Sequence, residues 1–138
     1  MSPLFDDYSL ELLNDTIFLY QVHIQFKNRV LGVILPLLWQ DDFFSITQSN
    51  QEFSFFLSSK HDHTISSQLN IVQKMEQEYK VLKLYQVNHQ IDELGVVAQF
   101  ASTFQKMDIP ILYINSFASN FILIPIDEIP KLDGMIEF

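Results

Sequence analysis

Residues 94–124 read LGVVAQFASTFQKMDIPILYINSFASNFILI and join a helical pattern to two apolar segments. In the first part, apolar residues recur at a spacing of three to four, which predicts an amphipathic helix. These residues are Val96, Val97, Phe100, Ala101, Phe104 and Met107. Pro110 disfavours helical backbone at the residue before it, so the helix is expected to end near Asp108. The remainder predicts strands over 109–116 and 121–124, joined by a polar turn.

The flanking residues extend this pattern on both sides. Residues 81–87 predict a strand, and residues 88–94 form a polar loop that ends at Gly95. Asp127 opens a short final helix with Pro130 in its first turn. The second half of the chain therefore has the predicted order strand, helix, strand, strand, helix.

The first half repeats this order. The sequence Leu31-Gly32-Val33-Ile34 resembles Leu94-Gly95-Val96-Val97, 63 residues further on. Residues 16–26 predict a strand, residues 29–39 a buried helix limited by Pro36, and segments 43–47 and 53–57 a hairpin. Residues 58–64 predict a polar loop. A second helix is expected from the spacing of Ile65, Leu69, Val72, Met75 and Tyr79. Such an order implies an α+β fold with mixed or antiparallel sheets and helices on one face.

Composition excludes several functional classes. The 138 residues include no cysteine, which excludes a disulfide scaffold and thiolate chemistry. The net charge of −9 is spread along the chain and would repel a nucleic-acid backbone. The start of the chain lacks the features of a secretory signal. The uncharged stretch 109–126 carries two prolines and a polar centre, which do not suit a membrane span. We therefore expect a soluble, cytoplasmic protein whose Trp39 and phenylalanines lie in the core.

Two polar segments are candidate binding sites. The loop 88–95 leads into a helix, whose free amides can bind a carboxylate and whose Gly95 would allow close approach. The alternative is that Asp92 only caps the helix. The turn 115–120 can donate hydrogen bonds to a ligand or serve as an ordinary hairpin connection. His61-Asp62-His63 offers too few ligands for a closed metal site and predicts a solvated loop. No metal, cofactor or catalytic arrangement is predicted, so an enzyme is not expected.

Five segments resemble small tandem ACT-domain proteins. They are 43–47 (FFSIT), 52–57 (EFSFFL), 94–101 (LGVVAQFA), 109–117 (IPILYINSF) and 120–125 (NFILIP). The pattern is similar to the aspartokinase-type ACT regulatory domains and to the cytosolic arginine sensor of growth signalling. The resemblance implies two ACT-like lobes with a ferredoxin-like βαββαβ plan, at residues 1–79 and 80–138. Because the chain ends at Phe138, the last strand of the second lobe is expected to be short, absent or replaced by another segment such as the N-terminus.

The resemblance also implies a non-catalytic, amino-acid-binding regulatory or sensor module, with its ligand at a lobe or subunit interface. The residues carried over as ligand contacts are Ile91, Asp92, Glu93, Gly95, Val96, Val97, Asn115, Ser116, Phe117 and Asn120. The acidic pair Asp92 and Glu93 favours arginine or another cationic amino acid. Sensor-like relatives often have an aspartate at the position of Asn120, and this neutral amide supplies no charge.

Two further partners and one alternative function follow from the same reasoning. The strands at 109–114 and 121–124 are apolar on both faces, so we expect a homodimer. A protein partner that reads the signal is also possible. The alternative function is a ligand-free structural or protein-interaction role on the same fold.

Overall fold

A computed structural model describes residues 8–86, 93–116 and 119–132. The strands are β1 Tyr8–His23, β2 Ser45–Gln48, β3 Glu52–Ser58, β4 Gln73–Gln86, β5 Leu112–Asn115 and β6 Asn120–Pro125. The α-helices are α1 Lys27–Ile34, α2 Asp62–Gln68 and α3 Glu93–Lys106. Short 3₁₀ segments are Ile24–Phe26, Leu35–Gln40, Ser59–His61 and Ile126–Leu132. The strand order β2-β3-β1-β4-β6-β5 and the antiparallel pairing confirm the predicted α+β, ferredoxin-like fold class.

The chain divides into two compact units. Unit I is residues 15–78, and unit II combines residues 8–14 with residues 79–132. The predicted lobes at 1–79 and 80–138 stay a prediction. What the structure adds is that residues 8–14 group with the second half of the chain.

Unit I follows the order strand, helix, strand, strand, helix, strand. Its strands are β2, β3, the second half of β1 and the first half of β4, in that sheet order. The predicted hairpin is confirmed, with Ile46 opposite Phe55 between β2 and β3. In the core, Tyr20 stacks on Phe55 with ring centroids 5.2 Å apart. The other buried members are Val22, Val30, Ile34, Leu38, Phe53, Leu57, Ile65 and Leu69.

Unit II repeats the order with one substitution. It begins with the second half of β4, continues through α3, β5, β6 and the 3₁₀ segment Ile126–Leu132, and places residues 8–14 of β1 beside β4. Residues 8–14 thus occupy the position of a last strand. The alternative expected for this position, residues 136–138, lies outside the described residues. The core comprises Leu82, Leu84, Phe100, Phe104, Ile109, Ile122, Ile124 and Leu132.

The end of α3 is fixed by backbone geometry. Asp108 has a φ of 58°, and the Ile109 amide donates to the Phe104 carbonyl at 3.0 Å. A left-handed residue in this position satisfies carbonyls that the helix leaves without partners, and aspartate tolerates that conformation better than most residues. The helix predicted over this segment is confirmed, and its buried face carries Phe100 and Phe104.

Three predictions in unit I are wrong. The helix expected from Ile65 to Tyr79 ends at Gln68, and β4 begins at Gln73. The loop expected at 58–64 is instead a 3₁₀ turn followed by the first residues of α2. Trp39, expected in the core, is 89% exposed.

Across residues 8–86, 93–116 and 119–132, no helix is both long and apolar enough to cross a membrane.

Candidate functional site

Seven of the ten predicted ligand residues fall within the described part of the chain. Glu93, Gly95, Val96 and Val97 lie in the first two turns of α3, Asn115 ends β5, Ser116 follows it, and Asn120 begins β6. Ile91, Asp92 and Phe117 lie outside the described residues.

The strand register places Asn115 and Asn120 at one end of the unit II sheet. Asn115 lies opposite Asn120 between β5 and β6, and Asn120 lies opposite Leu84 between β6 and β4. Two residues after Leu84, β4 ends and the chain leads on towards α3. The end of β4, the end of β5 and the start of β6 therefore lie at the same end of the sheet.

The face of the sheet is also defined. Leu84 is 1% exposed and packs in the same core as Phe100 and Phe104 of α3. Residues directly opposite each other in an antiparallel pair share a face, so Asn120 lies on the helix-covered face. The next pair along, Lys83 and Phe121, points to the other face, where the Lys83 ammonium lies 6.0 Å from the Phe121 ring centroid.

Ser116 is already engaged in the turn. Its backbone amide donates to the Ser119 carbonyl at 2.9 Å, and its Oγ donates to the same carbonyl at 2.8 Å. The Ser119 amide donates back to Ser116 Oγ at 3.2 Å. A hydroxyl has one donor and two acceptor positions, so one acceptor position remains. The side chain of Ser116 can receive a hydrogen bond from a ligand ammonium but cannot donate one to a carboxylate while the turn is intact.

The corresponding end of unit I has different chemistry. There β1 passes through the 3₁₀ segment Ile24–Phe26 straight into α1, and the Ile24 amide donates to the Gln51 carbonyl at 3.0 Å. A groove of about 410 Å³ lies at this end. It is lined by Gln21, Val22, His23, Gln51, Glu52, Ile71 and Gln73. Two of the lining amides already pair, since Gln21 Nε2 donates to Gln73 Oε1 at 3.1 Å. His23 Nδ1 accepts from the Gln25 amide at 3.2 Å.

The opposite end of unit I holds a cluster of charges. The Asp41 side chain is only 1% exposed and lies 3.0 Å from Lys60 Nζ and 2.9 Å from His61 Nε2. Lys60 also lies 3.3 Å from Asp15, which accepts a hydrogen bond from the buried Ser58 hydroxyl at 3.1 Å. The hydrogen bond to Asp41 raises the pKa of Lys60. These contacts hold the start of α2 in place, and the predicted solvated loop at His61 is wrong.

A second polar contact involves α2. The Tyr20 hydroxyl donates to Asp62 at 2.7 Å, and Lys74 Nζ lies 3.0 Å from the same carboxylate. Burial raises the pKa of Tyr20, and the neighbouring carboxylate adds to that effect. Burial alone would raise the pKa of Asp62, but the hydrogen bonds from Tyr20 and Lys74 outweigh it and hold that pKa below its usual value.

Within the described residues, no group of three or more potential metal ligands occurs.

The comparison with protein families concerns the second half of the chain. Residues 74–131 match the ACT domain family. The matched range begins in β4, ends in the last 3₁₀ segment, and contains all ten residues predicted to contact a ligand. No curated protein matches this chain.

Several solved structures are similar in fold to most of this chain. The regulatory subunit of aspartate kinase from Thermus thermophilus, in its ligand-free form, aligns with a TM-score of 0.66 at 10% identity, covering 94% of this chain and 98% of that one. A Vibrio cholerae protein of unknown function, described as a possible transport protein, gives 0.68 at 12% identity, covering 92% and 85%. An Agrobacterium tumefaciens protein gives 0.64 at 19% identity, covering 90% and 82%. At these identities the comparisons show that the folds are similar. The chain is thus structurally similar to aspartokinase regulatory ACT domains.

Sequence reasoning missed the Asp41 cluster and the exposure of Trp39. Asp41-Asp42 precedes a phenylalanine pair and offers no spacing that marks one carboxylate as buried. Trp39 follows an apolar run, and composition alone places such a residue in the core.

Proposed function

We propose that this protein is a non-catalytic regulatory module that binds a free amino acid at the end of the unit II sheet. The supporting observation is the register Asn115–Asn120–Leu84, in which the last residues of β4 lie at the same end of the sheet as the end of β5 and the start of β6. The ACT match over residues 74–131 supports the ligand class, and the aspartate kinase regulatory subunit supports the regulatory role. The proposed contacts are the ten predicted residues, and the proposed setting is the cytoplasm.

The proposed ligand is a cationic amino acid, with arginine as the first candidate. Its carboxylate would accept hydrogen bonds from amides at the start of α3, which also carries the favourable end of the helix dipole. Its ammonium or side-chain cation would lie near Asp92 and Glu93. The free acceptor position of Ser116 and the amide oxygen of Asn120 suit an ammonium donor.

Ligand-linked stability tests the proposal. A ligand at a hundred times its dissociation constant stabilises the folded state by about 2.7 kcal/mol. For a chain of this size, that free energy raises the melting temperature by roughly 10 °C. The screen measures melting temperature with each common amino acid at millimolar concentration, and a cationic one is expected to give the shift. No shift with any amino acid would contradict the proposal.

A matched pair of glycine variants locates the site. Gly95→Val is expected to abolish the shift, because a branched side chain in the first turn of α3 would block approach of the ligand carboxylate. Gly32→Val is the control, since it makes the same change within α1 of unit I, where an added Cβ would meet nothing within 4 Å. A shift that survives Gly95→Val would keep the amino-acid module and discard this site.

Asn120→Asp tests the orientation of the ligand. If Asn120 faces the ammonium, replacing a neutral hydrogen bond by a charge-assisted one should strengthen binding by up to about tenfold. Titration calorimetry measures the affinity. Asn50→Asp places the same change in the exposed β2–β3 turn of unit I and should leave the affinity unchanged. Equal affinities of Asn120→Asp and the unmodified protein would place Asn120 outside the site.

A ligand-free interaction protein is the second candidate. The observation that favours it is Trp39, a large aromatic side chain left in solvent. The two functions differ in one measurement, because an interaction protein would show no thermal shift with any amino acid while still binding a protein partner.

A further inference from the structure

One helical face of unit I is exposed and largely apolar. It belongs to α1 and the 3₁₀ segment Leu35–Gln40, which follow each other without a break. Val30 and Ile34 on the inner side are fully buried. On the outer side, Trp39 is 89% exposed and Leu35 is 51% exposed. Five exposed residues along this side, which we call the Trp39 face, are Arg29, Gly32, Leu35, Pro36 and Trp39.

Helical geometry places most of these residues in one row. Arg29, Gly32 and Pro36 are three and four positions apart, the spacing at which residues of an α-helix share a face. The row continues into the 3₁₀ segment, because Leu35 keeps α-helical dihedral angles. Trp39 follows Pro36 by three positions, which in a 3₁₀ segment brings side chains into line. From the rise per residue of the two helix types, the row from Arg29 to Trp39 is about 17 Å long.

Two cations lie at the start of α1 without an ion pair. Lys27 and Arg29 form none with any described residue, whereas the other two lysines of unit I, Lys60 and Lys74, both pair with aspartates. The first turn of α1 contains no acidic residue. Cations are unfavourable there because the helix dipole is positive at that end. A negatively charged partner would offset this repulsion.

We propose that the Trp39 face binds a segment of another protein that carries both acidic and apolar side chains. Trp39 and Leu35 would contact the apolar side chains, and Gly32 would let the segment lie close to the helix. The carboxylates would contact Arg29 and Lys27. Tryptophan and arginine often dominate the energy of protein interfaces, and the one tryptophan and the one arginine of this chain both lie on this face. The inference does not depend on amino-acid binding.

The charge of the whole chain favours a protein segment over an anionic lipid surface. The chain carries a net charge of −9. An extended anionic membrane would face much of this charge and be repelled by it. A segment confined to the Trp39 face meets Lys27 and Arg29 at short range, and salt screens the charges that lie more than about 8 Å away. Only the local cations therefore decide which segment binds.

A library of random peptides tests the proposal without assuming a partner sequence. Phage displaying peptides of about 12 residues, long enough to span the row when extended, are depleted on the Trp39→Ala variant and then selected on the unmodified chain. The enriched peptides are expected to be acidic and apolar and to bind with dissociation constants of about 1–100 µM, because the contact is small. Binding should shift the emission of Trp39, the single tryptophan, to shorter wavelength. Enrichment of basic peptides, or of no peptide that depends on Trp39, would overturn the proposal.

Matched variants separate the face from the fold. Trp39→Ala should weaken binding of the enriched peptides about tenfold, because it removes the aromatic contact. Met75→Ala removes a side chain that is 41% exposed on β4 and should leave binding unchanged. Arg29→Glu should weaken binding about fivefold by bringing like charges together, whereas Lys106→Glu makes the same change in the last turn of α3 and should not. Equal affinities of Arg29→Glu and the unmodified protein would overturn the acidic character of the partner.

Two further measurements test the other possible occupants of the Trp39 face. Vesicles of phosphatidylcholine, with and without phosphatidylglycerol, should leave the emission of Trp39 unchanged, and a shift with either would assign the face to a lipid surface and overturn the proposal. The emission of the protein alone should be the same at about 1 µM and about 200 µM. A shift with concentration would mean that a second copy covers Trp39, and would also overturn the proposal. Failure here would leave the amino-acid thermal shift intact, so the two proposals can fail separately.

Discussion

The two units share an order of elements but differ where the first strand meets the first helix. In unit I, β1 reaches α1 through the single 3₁₀ turn Ile24–Phe26, and α1 has 8 residues. In unit II, β4 ends at Gln86, and α3 begins at Glu93 and has 14 residues. The proposed ligand contacts therefore belong to the unit whose first helix is the longer.

The serine turns that follow β2 in unit I and β5 in unit II, by contrast, have similar hydrogen bonds. The Ser49 amide donates to the Glu52 carbonyl at 2.8 Å, as the Ser116 amide donates to the Ser119 carbonyl at 2.9 Å. In both turns the serine Oγ also accepts a backbone amide, from Glu52 at 3.1 Å and from Ser119 at 3.2 Å. A turn shared by both units is a feature of the fold, so the presence of serine at 116 is by itself no evidence of a ligand.

The largest expected effect tests whether the two units unfold together or independently. Phe104→Ala in unit II and Phe55→Ala in unit I should each cost about 3–5 kcal/mol, because both rings are almost fully buried. β1 and β4 run through both units as continuous strands, so we expect each variant to destabilise the whole chain. Urea unfolding measures the cost.

Amide hydrogen exchange distinguishes the alternatives. Phe104→Ala should increase exchange in β3 of unit I as well as in β6 of unit II if unfolding is cooperative. Exchange that increases only in β6 would show that the two units open independently. Phe55→Ala provides the reciprocal experiment.

Much of unit II could be predicted from the sequence. The α3 helix was predictable from the spacing of Phe100 and Phe104, and strands β5 and β6 from apolar runs beside a polar turn. The ten residues proposed as ligand contacts stay a prediction. The N-terminus was one of the segments expected to replace the last strand, but no local pattern shows which of its residues pair, and the structure places residues 8–14 of β1 beside β4.

Unit I was predicted less well for physical reasons. The helical spacing from Ile65 to Tyr79 runs from α2 into β4, which contains Met75 and Tyr79, because local spacing does not show which neighbours a segment pairs with. The burial of Asp41 depends on Lys60 and His61, which reach it from a different part of the chain. Exposure of Trp39 could not be foreseen either, since composition places aromatic residues inside.

A smaller effect is expected at acid pH in unit I. Hydrogen bonds from Tyr20 and Lys74 hold the pKa of Asp62 below its ordinary value of 3.8. The folded state therefore binds this proton less readily than the unfolded state, and the resulting stability is present above pH 3.8 and lost as the pH falls through the folded pKa. Asp62→Asn should cost about 1–2 kcal/mol at pH 7 and make the loss of stability below pH 4 shallower.

Tyr20→Phe is the companion variant. It removes one hydrogen bond to Asp62 and keeps Lys74 in place, so it should give part of the change in slope. Melting temperatures between about pH 2.5 and pH 7 measure both variants, since the linkage operates between the folded and unfolded pKa values. Identical slopes for Asp62→Asn and the unmodified protein would show that this contact does not contribute.

The smallest expected effect separates the two serine turns. Ser49→Ala and Ser116→Ala should each lower stability by about 0.5–1 kcal/mol, because each removes hydrogen bonds from the side chain to the turn backbone. Thermal unfolding without ligand measures this cost, which should be similar in the two variants.

The affinity for an amino acid should then distinguish Ser49→Ala from Ser116→Ala. If Ser116 also accepts a hydrogen bond from the ligand ammonium, Ser116→Ala should weaken binding about fivefold while Ser49→Ala leaves it unchanged. Equal affinity in both variants would assign Ser116 to the turn alone, leaving Asn120 and the start of α3 as the proposed contacts.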